Sequence, residues 1–183
     1  MKRVILAAVL ALASSVAFAD VTSVLLDGKK IRSMSAEEFI SAVRSAPDVN
    51  VRGKFRATPL HVAAVLGTPD NIIALVGAGA DLNARDNYGW TPLHAAAGAG
   101  TPANITSLIN AGAGVETRSD IGFTPLHVAA AIGTPDNITT LLDAGASGGA
   151  KDEDGMTPFG RAGDNEKVKE TAAYEALNDA QYK

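Results

Sequence analysis

The three histidines of the chain could in principle bind a metal ion, and they recur at a fixed spacing. They are His61, His94 and His127, each 33 residues after the one before. A metal ion needs its histidine ligands within about 2.1 Å. If each interval forms one structural unit, neighbouring histidines lie about 10 Å apart, as packed helices do, and point in parallel. They therefore cannot share an ion, and we predict no metal site and no cofactor.

An acidic segment near the end of the repeats resembles a fragment of a calcium loop. It runs Lys-Asp-Glu-Asp-Gly over residues 151–155. The complete loop needs a glutamate six residues after its glycine, and Arg161 stands there instead. We therefore interpret the segment as an acidic turn.

Two asparagines lie in triplets that fit the acceptor pattern for N-glycosylation. Asn104 and Asn137 each begin Asn-Ile-Thr, and a related asparagine, Asn71, precedes them by one period. Because this asparagine recurs near a repeated helix start, we predict instead an internal polar ladder. In such a ladder each side chain bonds backbone groups of its own unit or of the next.

Residues suited to catalysis are not grouped in this sequence. The chain contains no cysteine, and its histidines all belong to the repeat. No glycine-rich phosphate loop follows a predicted strand. An enzyme is the weaker interpretation, and we predict a protein without catalytic residues.

The first 19 residues have the pattern of a secretory signal peptide. Lys2 and Arg3 precede an apolar, alanine-rich run, and Ala17 and Ala19 provide the small residues that a signal peptidase requires. The run is shorter than the roughly 20 residues of a membrane-spanning helix. We therefore expect cleavage after Ala19, export, and a mature chain that does not insert into a membrane. A periplasmic location is favoured, with an extracellular one as the alternative.

The charge of the chain argues against nucleic acid as a partner. The sequence has 16 Lys and Arg against 20 Asp and Glu. Without Lys2 and Arg3 the counts are 14 and 20, a net charge of −6. Proteins that bind nucleic acid usually present a basic face.

The histidines belong to a longer repeat that defines the elements around them. Thr-Pro-Leu-His begins at Thr58, Thr91 and Thr124, and a weaker copy, Thr-Pro-Phe-Gly, begins at Thr157. Threonine can cap a helix and proline fits its first turn, and a second Thr-Pro follows ten residues later. The unit is therefore a helix, a tight turn, a second helix ending at glycine, and a projecting loop. Such units bury their apolar faces only by stacking on one another.

The N-terminal end predicts an incomplete unit. Ser35 and Glu38 form a capping box one period before a Thr-Pro helix start, so residues 36–45 should be a second helix. The slot of the first helix, residues 25–34, does not match the repeat. Its Leu-Asp-Gly-Lys segment predicts a turn between short extended pieces.

The C-terminal end predicts a capping helix. Residues 166–180 have the pattern of a helix with a polar outer face, and Val168, Ala172 and Leu177 form its inner side. Stacked-repeat proteins need polar ends of this kind to remain separate molecules.

The repeats resemble the ankyrin repeat family, whose pattern is G-x-TPLH-x-AA-x-x-G, a second helix, and GA-x-x-N. The match extends from Thr58 to about Gly155, although Gly149 replaces the usual asparagine in the third copy. Second helices that begin GTPxNI look like a variant found in bacterial exported ankyrin proteins. The resemblance implies an all-α solenoid of stacked helix-turn-helix units with projecting β-turn loops. It also implies that each histidine forms a hydrogen bond across the boundary between repeats.

On this basis we expect six segments along the chain. They are a signal peptide (1–19), an N-terminal segment with a capping half-repeat (20–54), three ankyrin repeats (55–87, 88–120 and 121–153) and a C-terminal capping repeat with a helix (154–183).

In this family, partners are commonly held by the loop tips and the adjoining face of the first helices. The matching positions here form two columns. The basic column contains Arg52, Arg85, Arg118 and Lys151. The apolar column contains Trp90, Phe123 and Met156, flanked by Phe55, Tyr88 and Ile121. Large apolar side chains beside arginine are typical of interface hot spots. The alternative is that the basic residues pair with the following aspartates and the bulky ones pack along the loop layer.

We therefore predict a non-catalytic protein–protein interaction module. It would be an exported scaffold or protective partner of another periplasmic protein. The alternatives are a peptide or small-molecule sensor that uses the concave groove, and a secreted effector that binds a host protein.

Overall fold

The computed structural model describes residues 25–182, so the expected signal peptide lies outside the described residues. Within this range the chain forms ten α-helices and two short 3-10 turns, with no β-strand. The predicted all-α class is confirmed. None of the helices in residues 25–182 combines the length and apolar character needed to cross a lipid bilayer.

The helices alternate between two layers. The first helices are α1 (Gly28–Ser33), α3 (Pro59–Leu66), α5 (Pro92–Ala99), α7 (Pro125–Ile132) and α9 (Pro158–Arg161). The second helices are α2 (Ala36–Ser45), α4 (Pro69–Gly77), α6 (Pro102–Asn110), α8 (Pro135–Asp143) and α10 (Ala172–Ala180). The two 3-10 turns are Lys54–Arg56 and Ala162–Asp164.

The units stack in single file. Each first helix packs against the next first helix, and each second helix packs against the next second helix. The core between the two layers is continuous and contains equivalent, fully buried residues such as Leu60, Leu93 and Leu126. Neighbouring units approach so closely that a Cβ atom on Gly100 would lie 2.4 Å from the carbonyl oxygen of Ala64. The predicted solenoid is thereby confirmed.

Threonine begins the second helices as the sequence predicts. The hydroxyl of Thr68 accepts the backbone N–H of Asn71, and the equivalent bonds begin α6 and α8. The following proline lies in the first turn, where its missing N–H costs no hydrogen bond.

The N-terminal unit has a first helix, and here the prediction of a turn between extended pieces was wrong. Helix α1 packs against α3 and fills the slot. The carboxylate of Asp27 accepts the backbone N–H groups of Lys29 and Lys30 at 2.9 and 3.3 Å. Asp27 therefore acts as a helix cap rather than as a turn residue. The predicted α2 and its capping box, Ser35 with Glu38, are confirmed.

The C-terminal helix is shorter than predicted. Helix α10 begins at Ala172, after the cap residue Thr171, and the preceding segment forms turns. Val168 and Leu177 are fully buried as predicted. Ala172 is exposed, and Ala173 faces the core instead. Because the residues before Ala172 are not helical, the helical spacing from Val168 does not continue into α10, and the core-facing position is Ala173 instead of Ala172.

Candidate functional site

The histidine of each repeat fastens its own helix start to the next unit. In the second repeat, Nδ1 of His94 accepts the backbone N–H of Thr91 at 3.2 Å and lies 2.9 Å from its hydroxyl. On the other side of the ring, Nε2 donates to the carbonyl oxygen of Phe123 at 2.9 Å. The equivalent inter-repeat bonds join His61 to Trp90 at 3.0 Å and His127 to Met156 at 3.1 Å. The bond across the repeat boundary, which the resemblance implied, is confirmed.

These contacts require neutral histidines. A backbone N–H can only donate, so Nδ1 carries no proton and the single ring proton lies on Nε2. Burial lowers the pKa of His94 to about 4, despite the opposing hydrogen bond to Phe123. Burial also lowers the pKa of His61 and of His127. Both nitrogens of each ring are thus used for structure.

The asparagine ladder is present, but its direction differs from the prediction. Nδ2 of Asn104 donates to the carbonyl oxygens of Ala64 and Gly67, each at 3.1 Å. Those groups belong to the preceding unit, not the next one. In the same way, Nδ2 of Asn137 donates to the carbonyl oxygens of Ala97 and Gly100. Asn71 bonds within its own unit, where its Oδ1 accepts the N–H of Thr68 at 2.9 Å.

The ladder has a further member, Asn165, that was not predicted from the sequence. Nδ2 of Asn165 donates to the carbonyl oxygens of Ala130 and Gly133 at 2.9 and 3.3 Å. One period after Asn137 the sequence has Glu170, so spacing alone does not identify Asn165. Helix α9 has only 4 residues, compared with the 8 of α7, and the asparagine therefore comes earlier in the chain.

The basic column connects each loop to the next. The guanidinium of Arg52 donates to the carbonyl oxygen of Arg85 at 2.6 Å. Arg85 donates to the carbonyl oxygen of Arg118 at 2.9 Å and pairs with Asp120 at 2.7 Å. Arg118 continues the series with the carbonyl oxygen of Lys151 at 2.6 Å. Arg85 does not pair with Asp86, the aspartate that follows it. Each of the three arginines instead connects its own loop to the neighbouring one.

The last loop is the predicted acidic turn. Arg161 donates to Asp152 at 2.6 Å and to Asp154 at 2.5 Å. Burial alone would raise the pKa of Asp152, but bonds from Arg161 and from the backbone of Met156 outweigh it and keep that pKa below its ordinary value. Lys151, the last member of the basic column, is exposed.

The apolar column divides into a packed part and an exposed part. Phe123 is half-buried and stacks on the ring of His127 with centroids 5.5 Å apart. The guanidinium of Arg161 lies over the Phe123 ring, 5.0 Å from the ring centroid. The adjoining Met156 is more exposed, at 39%. For Phe123, the alternative that the bulky residues pack along the loop layer describes the structure.

The exposed part is concentrated at the loop tips. Phe55, Tyr88 and Ile121 are 63%, 60% and 51% exposed. Their backbones form a ladder, because the carbonyl oxygen of Phe55 accepts the N–H of Asn87 at 2.8 Å and the next tips repeat the bond. The exposed tips are therefore held in register.

An apolar groove of about 520 Å³ lies between these tips and the first helices. We call it the loop groove; its walls include Phe55, Tyr88 and Trp90 on the loop side and Val62 and Val65 on α3. The rings of Tyr88 and Trp90 lie 6.2 Å apart. The structure thus brings three of the predicted site residues together, and places Phe123 and Met156 outside this group.

Two polar side chains of the loop groove, His61 and Asp86, are already bonded within the protein. His61 bonds Thr58 and Trp90, as described above. Asp86 Oδ1 accepts the backbone N–H groups of Tyr88 and Trp90 at 2.8 and 2.9 Å. The groove therefore offers an apolar surface of fixed shape.

The first loop departs from the others at its tip. Phe55 and Arg56 have φ angles of 56° and 60°, in the left-handed region that favours glycine. The residues equivalent to Arg56 in later loops are Gly89, Gly122 and Gly155, with φ between 70° and 75°. Arg56 was not among the predicted site residues, although the missing glycine is visible when the repeats of the sequence are aligned.

Comparison with protein families agrees with this architecture. A family model described as ankyrin repeats (3 copies) matches residues 34–119, and a second, for a single ankyrin repeat, matches residues 121–153. No match to a curated protein was found. Ankyrin repeats are protein–protein interaction modules, and the matched ranges cover more than half of this sequence. The chain belongs to the ankyrin repeat family.

Proposed function

We propose that this protein is an exported, non-catalytic module that binds another periplasmic protein at the loop groove and scaffolds or protects it. The observation that carries the proposal is the concentration of exposed apolar side chains at one place, with Phe55 and Tyr88 more than half exposed. Exposed apolar surface next to polar surroundings commonly marks an interaction site.

The surroundings of the groove favour tight binding. Tyrosine and tryptophan are enriched among the residues that dominate interface energies. The loop layer behind Tyr88 and Trp90 is held by the Arg52 and Arg85 bonds to neighbouring loops. A preformed site loses less conformational entropy on binding than a mobile one.

A peptide or small-molecule sensor is the second candidate, because the groove volume of about 520 Å³ lies in the range of ligand pockets. Small polar ligands are usually oriented by a few polar groups that point into the pocket. Here His61 and Asp86 are used for internal bonds. The groove therefore favours an apolar side chain of a peptide or protein. A rise in melting temperature with a metabolite, and none with peptides, would favour the sensor.

Export rests on the sequence pattern of residues 1–19, and the periplasmic location rests on that pattern together with the family resemblance. Fractionation of cells that produce a C-terminally tagged chain tests them. We expect a shortened protein in the periplasmic fraction. Recovery in the culture medium would instead support a secreted effector, and an unshortened cytoplasmic protein would contradict export.

Site-specific photo-crosslinking tests the binding surface. A photoreactive amino acid replaces Tyr88 in one variant and Ile73 in another, because Ile73 is 61% exposed and lies on the second-helix layer. We expect one discrete crosslinked protein from position 88 and not from position 73. The same products from both positions, or products from position 73 alone, would contradict binding at the loop groove.

A further inference from the structure

The charge of this protein is distributed unevenly along the stack. Residues 25–57 carry seven Lys or Arg and four Asp or Glu, a net charge of +3. Residues 58–182 carry six and fifteen, a net charge of −9. The loop groove lies at the basic end, because its walls include Leu26 and Gly28 as well as Phe55.

The basic residues of this end adjoin residues of the groove wall in the sequence. Lys54 and Arg56 lie on either side of Phe55 at the first loop tip, and both are exposed. Lys29, Lys30 and Arg32 are exposed on helix α1, which supplies Gly28 to the groove wall. Within residues 25–182 all the ion pairs involve other cations. These five charges are therefore available to a partner.

The backbone at the same tip is strained. A residue other than glycine in the left-handed region costs free energy, and here two such residues, Phe55 and Arg56, are consecutive. Every later loop of the described chain has glycine at the position of Arg56. Strained residues persist mainly where they serve function. In this case the replacement of glycine adds a positive charge beside the groove.

We propose, resting on the proposed function, that the loop groove binds an acidic segment of its partner protein. An apolar side chain of that segment would enter between Phe55, Tyr88 and Trp90. Carboxylates on either side of it would face the basic residues of the first loop and of α1. Charge complementarity of this kind gives specificity and a faster association rate.

A bilayer surface could also attract basic residues, but the shape of the site favours a protein. The apolar residues line a concave groove, which suits an inserted side chain, whereas association with a membrane requires apolar groups that enter the headgroup region together. We therefore include anionic vesicles in the test as the competing outcome.

A library of random short peptides displayed on phage, selected on the mature chain, tests the proposal. The selected peptides are then measured by fluorescence anisotropy against three variants. Lys54→Ser/Arg56→Ala removes charge at the groove, Tyr88→Ser removes its aromatic wall, and Ile73→Ser is the matched control on the other layer. Circular dichroism melts establish that each variant is folded.

We expect the selected peptides to carry several Asp or Glu around one or two large apolar residues. Their affinity should fall about tenfold or more in both groove variants and remain unchanged in Ile73→Ser. Raising the salt concentration should weaken binding to the wild-type chain by a similar factor, because exposed charges are screened.

The remaining outcomes overturn the proposal in distinguishable ways. Selected peptides that are neutral or basic and are lost only in Tyr88→Ser contradict the acidic partner but leave the proposed function intact. Peptides that bind all three variants equally contradict both the acidic partner and the proposed binding at the loop groove. No selected peptide, together with binding to phosphatidylglycerol vesicles that depends on Lys54 and Arg56, would identify a membrane as the target and overturn the proposal. A chain that binds neither peptides nor vesicles also overturns the proposal.

Discussion

The imidazole of His94 lies 2.9 Å from the carbonyl oxygen of Phe123, which belongs to the following repeat. The other ring nitrogen accepts the N–H of Thr91 at the start of its own helix. A single neutral side chain therefore fixes both the helix start and the distance to the next unit. Since the bond recurs at His61 and His127, the stability of the stack depends on the protonation of three buried rings.

Acidification should destabilise the stack before the carboxylates titrate. An unfolded histidine has a pKa near 6.5, whereas that of folded His94 is about 4, so between these values only the unfolded chain binds the proton. Stability is complete above about pH 6.5 and falls as the pH is lowered, and His94 alone accounts for about 3 kcal/mol by pH 4. Urea unfolding at several pH values measures this.

The variant His94→Gln provides the control for this pH dependence. Its amide can donate to Phe123 and accept from Thr91 without titrating. Between about pH 6.5 and pH 5, the slope of unfolding free energy against pH should correspond to the uptake of about one proton fewer on unfolding than in the wild-type chain. A free energy that stays level or rises as the wild-type chain is acidified over this range would contradict the assignment.

The asparagine ladder should contribute directly to stability. Asn104→Leu removes both donors to the carbonyl oxygens of Ala64 and Gly67. Because buried carbonyls without donors are costly, we expect a loss of about 2–4 kcal/mol in unfolding free energy and a lower melting temperature. Asn110→Leu, at an exposed position on the same helix, serves as the control. An equal or higher melting temperature for Asn104→Leu would refute the ladder.

Arg85 should stabilise the loop layer mainly through its bond to a backbone carbonyl. Arg85→Ala removes this bond and the pair with Asp120, and should cost about 1–2 kcal/mol. Asp120→Asn removes only the ion pair, which is exposed, and should cost less than about 1 kcal/mol. Thermal unfolding of both variants gives the comparison. If Asp120→Asn costs as much as Arg85→Ala, the ion pair and not the carbonyl bond stabilises the loops.

Relief of strain at the first loop should stabilise the protein. Arg56→Gly and Arg56→Ala remove the same charge, but only glycine adopts the φ of 60° without steric cost. We expect the glycine variant to be more stable than the alanine variant by about 1 kcal/mol. Urea denaturation of the pair measures the difference. Equal stabilities would show that the loop carries no strain at this position.

The repeats could be predicted from the sequence because their helix signals are local. Each Thr-Pro pair marks a helix start at the predicted position, and the threonine hydroxyls cap the second helices. At the first helices α3, α5 and α7 the hydroxyl lies against the histidine ring instead of capping the helix. Helix α1 was missed because it lacks this signal and starts from Asp27 instead. An aspartate followed by glycine is compatible with either a turn or a helix cap, and in this case packing against α3 selects the helix.

The roles of the loop residues could be predicted only in part, because they depend on neighbours 33 residues away. The arginine column was identified, but not that Arg85 bonds the carbonyl oxygen of Arg118. The apolar column likewise divides at Phe123, which Arg161 covers from the C-terminal unit. The grouping of Phe55, Tyr88 and Trp90 around the loop groove became apparent only when the first loop and the first helices were placed together.

Binding at the loop groove can be measured directly as the affinity of the partner identified by photo-crosslinking. Isothermal titration compares the wild-type chain with Tyr88→Ser and Ile73→Ser, two exchanges of similarly exposed apolar residues on opposite layers. We predict binding at least about tenfold weaker for Tyr88→Ser and unchanged binding for Ile73→Ser. Unchanged affinity for Tyr88→Ser, or a loss confined to Ile73→Ser, would show that the partner does not bind at the loop groove.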